Sequence, residues 1–283
     1  MTLFLHIGIG KTGTTSIQRS LLAHRDALKN EGILFPSAGL RGHAHFGLYD
    51  NALTKDQWVS AIDALARECA EFSGHVVVSS ENLSYAPPEA IEELKAALPV
   101  EPNIVFYCRP QIDLIESAFL YWVQLGWDYR GSIDNFWQYH WASFDFNARV
   151  EPWAQRFGDD KIIAHVYDRR VVGPDVAQHF FKLIGSRIQP NGQRFNQRLL
   201  PELFEVITKI DADAKNPSRR EMIQALLSVS EKLGPASKES LISPELAKNI
   251  GSRYEESNLL FANKYLPKNE GALLRPANWS RVL

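Results

Sequence analysis

The chain opens on a nearly unbroken apolar run, TLFLHIGI (residues 2–9), after which Ile17, Leu21, Leu22 and Leu28 recur at helical spacing through residue 31. That change of period predicts a strand followed by a helix. HVVVSS (75–80) and NIVFYC (103–108) are apolar, β-branched runs without polar alternation, the pattern of strands covered on both faces, and KIIAHVY (161–167) is a fourth strand signal. Helical patterns around 55–72, 88–97, 111–125 and 174–184 separate the later runs. Strands alternating with helices predict an α/β fold with a central parallel sheet and helices on both faces. Beyond residue 198 the strand signals stop. LLPELFEVITKIDADA, SRREMIQALLSVSEKL and SPELAKNIGSRYEESNLLFANKYL are helical by period, with Ser243 as an N-cap and Pro244 in the first turn. The expectation is one domain: an α/β nucleotide-binding core over 1–198 and a mainly helical C-terminal portion over 199–283, joined through a long loop at 185–198.

Composition changes this picture little. The 283 residues are 45% hydrophobic and 23% charged, and 31 Lys and Arg against 33 Asp and Glu leave a net charge of −2, so no global basic field points to nucleic acid. No stretch of eighteen apolar residues predicts a membrane span, and no basic segment with a cleavage site predicts a secretory signal. Cys69 and Cys108 lie far apart without metal-ligand spacing, which suits a reducing compartment, so a cytoplasmic protein is expected.

The chemistry concentrates in LHIGIGKTGTTSIQ (5–18). Gly8, Gly10 and Gly13 satisfy G-x-G-x-x-G, but a dinucleotide site also needs an acidic residue ending the second strand, where GILFPS ends in Pro36 and Ser37. The nucleotide phosphate-loop pattern fails as well, because Leu5 stands five residues before Gly10, although Gly10, Lys11 and Thr12 match its last three positions. Both patterns share one physical device: glycine lets the backbone approach an anion, and the helix beginning near Gly13 points unpaired N–H groups at it. Lys11 adds a charge, and Thr14, Thr15 and Ser16 add hydroxyls. The loop therefore reads as a phosphate cradle with the nucleotide left open.

A second anion signal lies in YCRPQIDLIESAF. Arg109 follows a strand, Pro110 begins a helix, and the carboxyl ends of parallel strands are where ligands bind. On that helix Asp113, Ser117, Tyr121 and Gln124 share a face apart from the apolar stripe of Ile112, Ile115 and Phe119. KTGTTSIQ, followed by a strand-end arginine and a serine eight residues later, resembles the sulfotransferases that use 3′-phosphoadenosine 5′-phosphosulfate. SSENLSY, RPQIDLIESAF, RFNQRLLPE and YEESNLLFANKYL extend the resemblance, in order, to the bacterial-type, carbohydrate sulfotransferase-like branch. It implies a phosphate-loop fold of the nucleoside triphosphate hydrolase type. It also implies that Gly10, Lys11, Thr12, Gly13, Thr14 and Thr15 hold the phosphosulfate and that Arg109 and Ser117 hold the 3′-phosphate. The late Gly- and Lys-rich loop of the cytosolic branch is absent, and Arg194 or Arg198 in NGQRFNQR is the candidate substitute.

Sulfuryl transfer requires a cation at the leaving oxygen and a base for the acceptor proton. Lys11 suits the first role. Glu81, just beyond the strand at 75–80, suits the second, and SSEN resembles the base segment of polysaccharide sulfotransferases. His43 and His45 in GLRGHAHF compete for that role, whereas His6 reads as a core histidine. The resemblance implies no metal and a hydroxyl acceptor, a carbohydrate or glycolipid. Trp122, Trp127, Tyr129, Trp137 and Trp141 could contact the acceptor or form a core between helices. The rival readings are an ATP-dependent phosphate-loop kinase and a nucleotide-binding protein without turnover.

Overall fold

The structure is a computed structural model that describes residues 1–125, 131–190, 217–233 and 240–279. The described residues form two compact units. The first comprises Met1–Arg109, Phe146–Gln193 and Leu259–Gly271; the second comprises Pro110–Asp145, Arg194–Asn258 and Ala272–Leu283. The expected loop beyond residue 190, the helical pattern at 199–214, and Arg194, Arg198, Trp127 and Tyr129 lie outside the described residues.

The first unit carries a five-stranded, all-parallel sheet: β1 (Leu3–His6), β2 (Ile33–Leu34), β3 (His75–Ser79), β4 (Asn103–Cys108) and β5 (Ile162–Val166), in the order β2-β3-β1-β4-β5. Leu5 pairs with Val78 on one side and Ile104 on the other, and His6 with Ser79 and Val105, so equivalent positions face the same way across the sheet. On one face Val77, Val105 and Tyr107 pack with Ile17, Leu21, Leu28, Val172, Phe180 and Phe181, which come from α1 (Thr14–Ala23), α2 (Arg25–Asn30), α8 (Arg169–Val172) and α9 (Val176–Leu183). On the opposite face Phe106 meets Phe146 and Phe261. There α3 (Lys55–Ala70) packs on α4 (Pro88–Ala97), and α4 on α7 (Phe146–Phe157). Burial on both sides explains the continuous apolar runs. The expected α/β class, with its parallel sheet covered on both faces, is what the structure shows.

Two features differ from the sequence expectation. β2 is only two residues long, too short to register as a period. The aromatic segment around 119–146 contains α6 (Ile133–His140), and α7 follows it with Pro152 inside, so aromatic crowding and an internal proline hide the helical period.

In the second unit α5 (Gln111–Leu125) and α6 pack through Phe119, Trp122 and Phe136. α10 (Pro217–Leu233) and α11 (Pro244–Tyr265) coincide with two of the predicted helices, and the Leu246 N–H donates to Ser243 Oγ, as an N-cap requires. Gln111 and Asn258 exchange two buried amide hydrogen bonds. No helix among the described residues is long and apolar enough to cross a membrane.

Candidate functional site

β1 and β4 are neighbours whose outgoing connections run to opposite edges of the sheet, toward β2 and β5 respectively. Such a switch point opens a crevice at the carboxyl ends of the strands. Along this edge the sheet order sets Glu81 after β3, the glycine loop after β1, Arg109 after β4 and Tyr167 after β5. With strands about 4.8 Å apart, the ends of β3 and β4 stand roughly 10 Å apart on either side of the loop.

The loop is held open by backbone conformation. Lys11 has φ +70°, uncommon for a residue with a Cβ, and Gly13 has φ +81°. A Cβ on Gly13 would meet Val176 Cγ1 at 2.6 Å and Tyr167 Cε2 at 2.9 Å, so this position requires glycine twice over. At Gly10 the reason differs: a Cβ there would meet no protein atom within 4 Å, so crowding by protein does not demand glycine. No side chain caps α1, and an uncapped helix amino end is the kind of feature that binds anions. Thr12 is fully buried and its hydroxyl donates to the Ile9 carbonyl at 2.6 Å, which closes the loop. Thr14 is buried, whereas Thr15 and Ser16 are half-buried.

Two cations meet on this loop. Arg109 Nη1 donates to the Lys11 carbonyl at 3.2 Å, and its guanidinium lies 5.8 Å from the Tyr167 ring. Burial, and then repulsion from Arg109, lower the Lys11 pKa from 10.5 to about 8. A ligand with concentrated negative charge would relieve both effects. Ser117 lies half-buried on α5 in the second unit, and its expected place beside the 3′-phosphate rests on the sequence resemblance.

Glu81 begins a short 3₁₀ turn (Glu81–Tyr85) directly after β3 and is half-buried. Gln18 Nε2 donates to Glu81 Oε2 at 2.5 Å across 63 residues of chain. Sequence reasoning missed this partner; the available signal was Gln18 four residues after Thr14 on one helix face. Burial chiefly, and then Arg19, lower the His43 pKa, and Glu81 raises it by a smaller amount. It also acts on Tyr85, whose ring stacks 4.1 Å from the Arg149 guanidinium.

The three histidines separate clearly. His45 is fully buried; its Nδ1 accepts from the Ser79 N–H at 3.2 Å and its Nε2 lies 3.2 Å from the Pro36 carbonyl. Burial chiefly holds its pKa down at about 4, so it is a neutral strut between the end of β3 and the segment after β2 rather than an accessible base. His6 pairs through Nδ1 with Ser79 Oγ at 2.8 Å and is lowered to about 3 by burial, in line with a core role. His43 alone of the two proposed competitors is half-buried and within reach of Glu81's field.

Among the acceptor-side aromatics, Trp122 packs on Phe136 and His140, Trp137 Nε1 donates to Tyr254 Oη at 3.1 Å, and Trp141 stacks under Arg253 at 3.8 Å. These contacts are the helix packing of the second unit. Among the described residues no group of three or more His, Cys, Asp or Glu could hold a metal ion.

No protein-family model matches the chain, and a comparison with curated proteins gives no match. Among solved structures, a sulfotransferase from Alicyclobacillus acidocaldarius is similar at 17% identity and a TM-score of 0.45, over 81% of this chain and 92% of that one. A likeness of that size assigns no activity here.

Proposed function

We propose that this protein is a sulfotransferase that takes a sulfuryl group from 3′-phosphoadenosine 5′-phosphosulfate and passes it to a hydroxyl acceptor, a carbohydrate or glycolipid. The observation that supports this most is the meeting of Lys11 and Arg109 on one uncapped loop at the sheet's switch point. Two adjacent cations and a helix amino end suit a ligand bearing more than one phosphate-like group. The motif resemblance selects the sulfuryl donor over ATP.

In this reading the backbone N–H groups from Gly10 to Thr15 and the Lys11 ammonium hold the phosphosulfate. Arg109 and Ser117 hold the 3′-phosphate, with Arg194 as an additional contact. The donor supplies a sulfuryl group already bonded to a good leaving phosphate. Lys11 Nζ balances charge as it grows on the leaving oxygen, and its lowered pKa lets it share or give up a proton there. Glu81, on the other side of the loop, takes the proton from the acceptor hydroxyl.

Calorimetric titration tests the reading. Adenosine 3′,5′-bisphosphate should bind at micromolar concentration without magnesium, and ADP far more weakly. Preference for ADP or ATP, above all with magnesium, would replace the sulfotransferase with a phosphate-loop kinase. Tight bisphosphate binding without sulfuryl transfer would leave a nucleotide-binding protein.

A further inference from the structure

We infer that Gln18 is a positioning residue for Glu81: its amide anchors Oε2 of the carboxylate and leaves Oε1 as the oxygen that meets the acceptor hydroxyl. The inference rests on the sulfotransferase reading above.

Three observations carry it. First, Gln18 is fully buried, yet its Oε1 has no hydrogen-bond partner. Leucine or methionine would fill the same space without leaving a buried carbonyl oxygen unbonded, so folding alone gives no reason for an amide here. Second, the one bond this side chain makes is charge-assisted, from Nε2 to Glu81 Oε2 at 2.5 Å. The carboxylate itself fixes the amide's orientation, because the flipped amide would set oxygen against oxygen. Within the turn, Ser84 Oγ holds the Glu81 backbone carbonyl at 2.8 Å, a bond that steadies the main chain and not the carboxylate.

Third, Gln18 lies one turn beyond Thr14 on α1, about 6 Å along the axis of the helix whose amino end forms the anion cradle. One rigid element thus carries both the donor's cradle and the anchor of the base. This geometry sets the distance between the two reacting groups without relying on the short 3₁₀ turn. In the transfer step the acceptor O–H proton goes to Glu81 Oε1 and the acceptor oxygen bonds to sulfur. The bond from sulfur to the bridging phosphate oxygen breaks, and its electron pair stays on the phosphate. A free carboxylate would rotate away from that line. Misplacement by about 1 Å in such a geometry costs on the order of 100-fold in rate.

The test is a cycle of Gln18→Met, Glu81→Gln and the double variant. The rate is read as adenosine 3′,5′-bisphosphate released from the donor with water, p-nitrophenyl β-glucoside and chitotetraose present. Gln18→Met should lower kcat about 10- to 100-fold, leave the Kd of the bisphosphate unchanged, and add no further loss in the Glu81→Gln background. Losses that multiply in the double variant would make Gln18 a packing residue and overturn the inference while leaving the sulfotransferase intact. No release by the wild-type protein, or Glu81→Gln turning over at the wild-type rate, would remove the base and the inference together. Should Gln18→Met fail to fold, Glu81→Asp reads the same contact from the other side. The shorter side chain draws the carboxylate off the amide, so kcat should fall about tenfold, and a wild-type kcat would overturn the assignment.

Discussion

Replacing Lys11 by methionine should make the ligand-free protein more stable while destroying donor binding. In the folded protein burial and Arg109 lower the lysine from 10.5 to about 8. Keeping its charge at pH 7 therefore costs about 3 kcal/mol of folding free energy. Methionine has similar length, carries no charge and inherits the same φ of +70°, so the backbone strain stays and the electrostatic cost goes. Stability should rise by about 3 kcal/mol at pH 7, and Tm by about 5 °C for a chain of this size. The pH dependence identifies the cause. The unfolded lysine holds its proton up to 10.5 and the folded one loses it near 8, so between those values the wild type gains stability as pH rises. Most of the difference from Lys11→Met should therefore vanish by pH 10. Urea denaturation of both proteins at pH 7 and pH 10 measures this. A variant less stable than wild type at pH 7, or a difference unchanged at pH 10, would refute the reasoning.

Affinity for adenosine 3′,5′-bisphosphate should fall as pH rises above about 8, by up to tenfold per pH unit, and Lys11→Met should flatten that slope; calorimetry across pH 7–10 checks it. Arg109→Ala should weaken the 3′,5′-bisphosphate far more than adenosine 5′-phosphosulfate, and equal losses for the two nucleotides contradict the 3′-phosphate role. His6 and His45 are neutral in the fold at about 3 and 4, below the ordinary 6.5, so their stabilising contribution is lost as pH falls through 6.5. Together they should cost about 4 kcal/mol between pH 7 and pH 5, and denaturation of His45→Gln should show a shallower pH slope. Gly13→Ala should destabilise by about 2 kcal/mol through its positive φ and the clash with Val176, whereas Gly10→Ala should leave Tm unchanged and weaken bisphosphate binding.

The sheet was legible because β3 and β4 are covered on both faces, and such strands show as unbroken apolar runs. The turn between β1 and α1 was legible because its glycines and the helix start fall within a few consecutive residues. Local chemistry of this kind is written in order along the chain. α10, α11 and the Ser243 cap were readable for the same reason, since period and capping act over single turns.

What only the tertiary structure decided depends on residues distant in sequence. Nothing in GLRGHAHF separates His43 from His45; the fold buries one between Ser79 and Pro36 and leaves the other half-buried and under the electrostatic influence of Arg19 and Glu81. Lys11 is an ordinary lysine until β4 brings Arg109 onto its carbonyl across 98 residues, and burial with repulsion then shifts its titration. Gln18 and Glu81 become partners only because β1 and β3 are adjacent. The sequence thus determined which groups are candidates to bind an anion and move a proton. The lowered pKa of Lys11 and the amide on the Glu81 carboxylate follow from desolvation and long-range pairing that exist only in the folded chain.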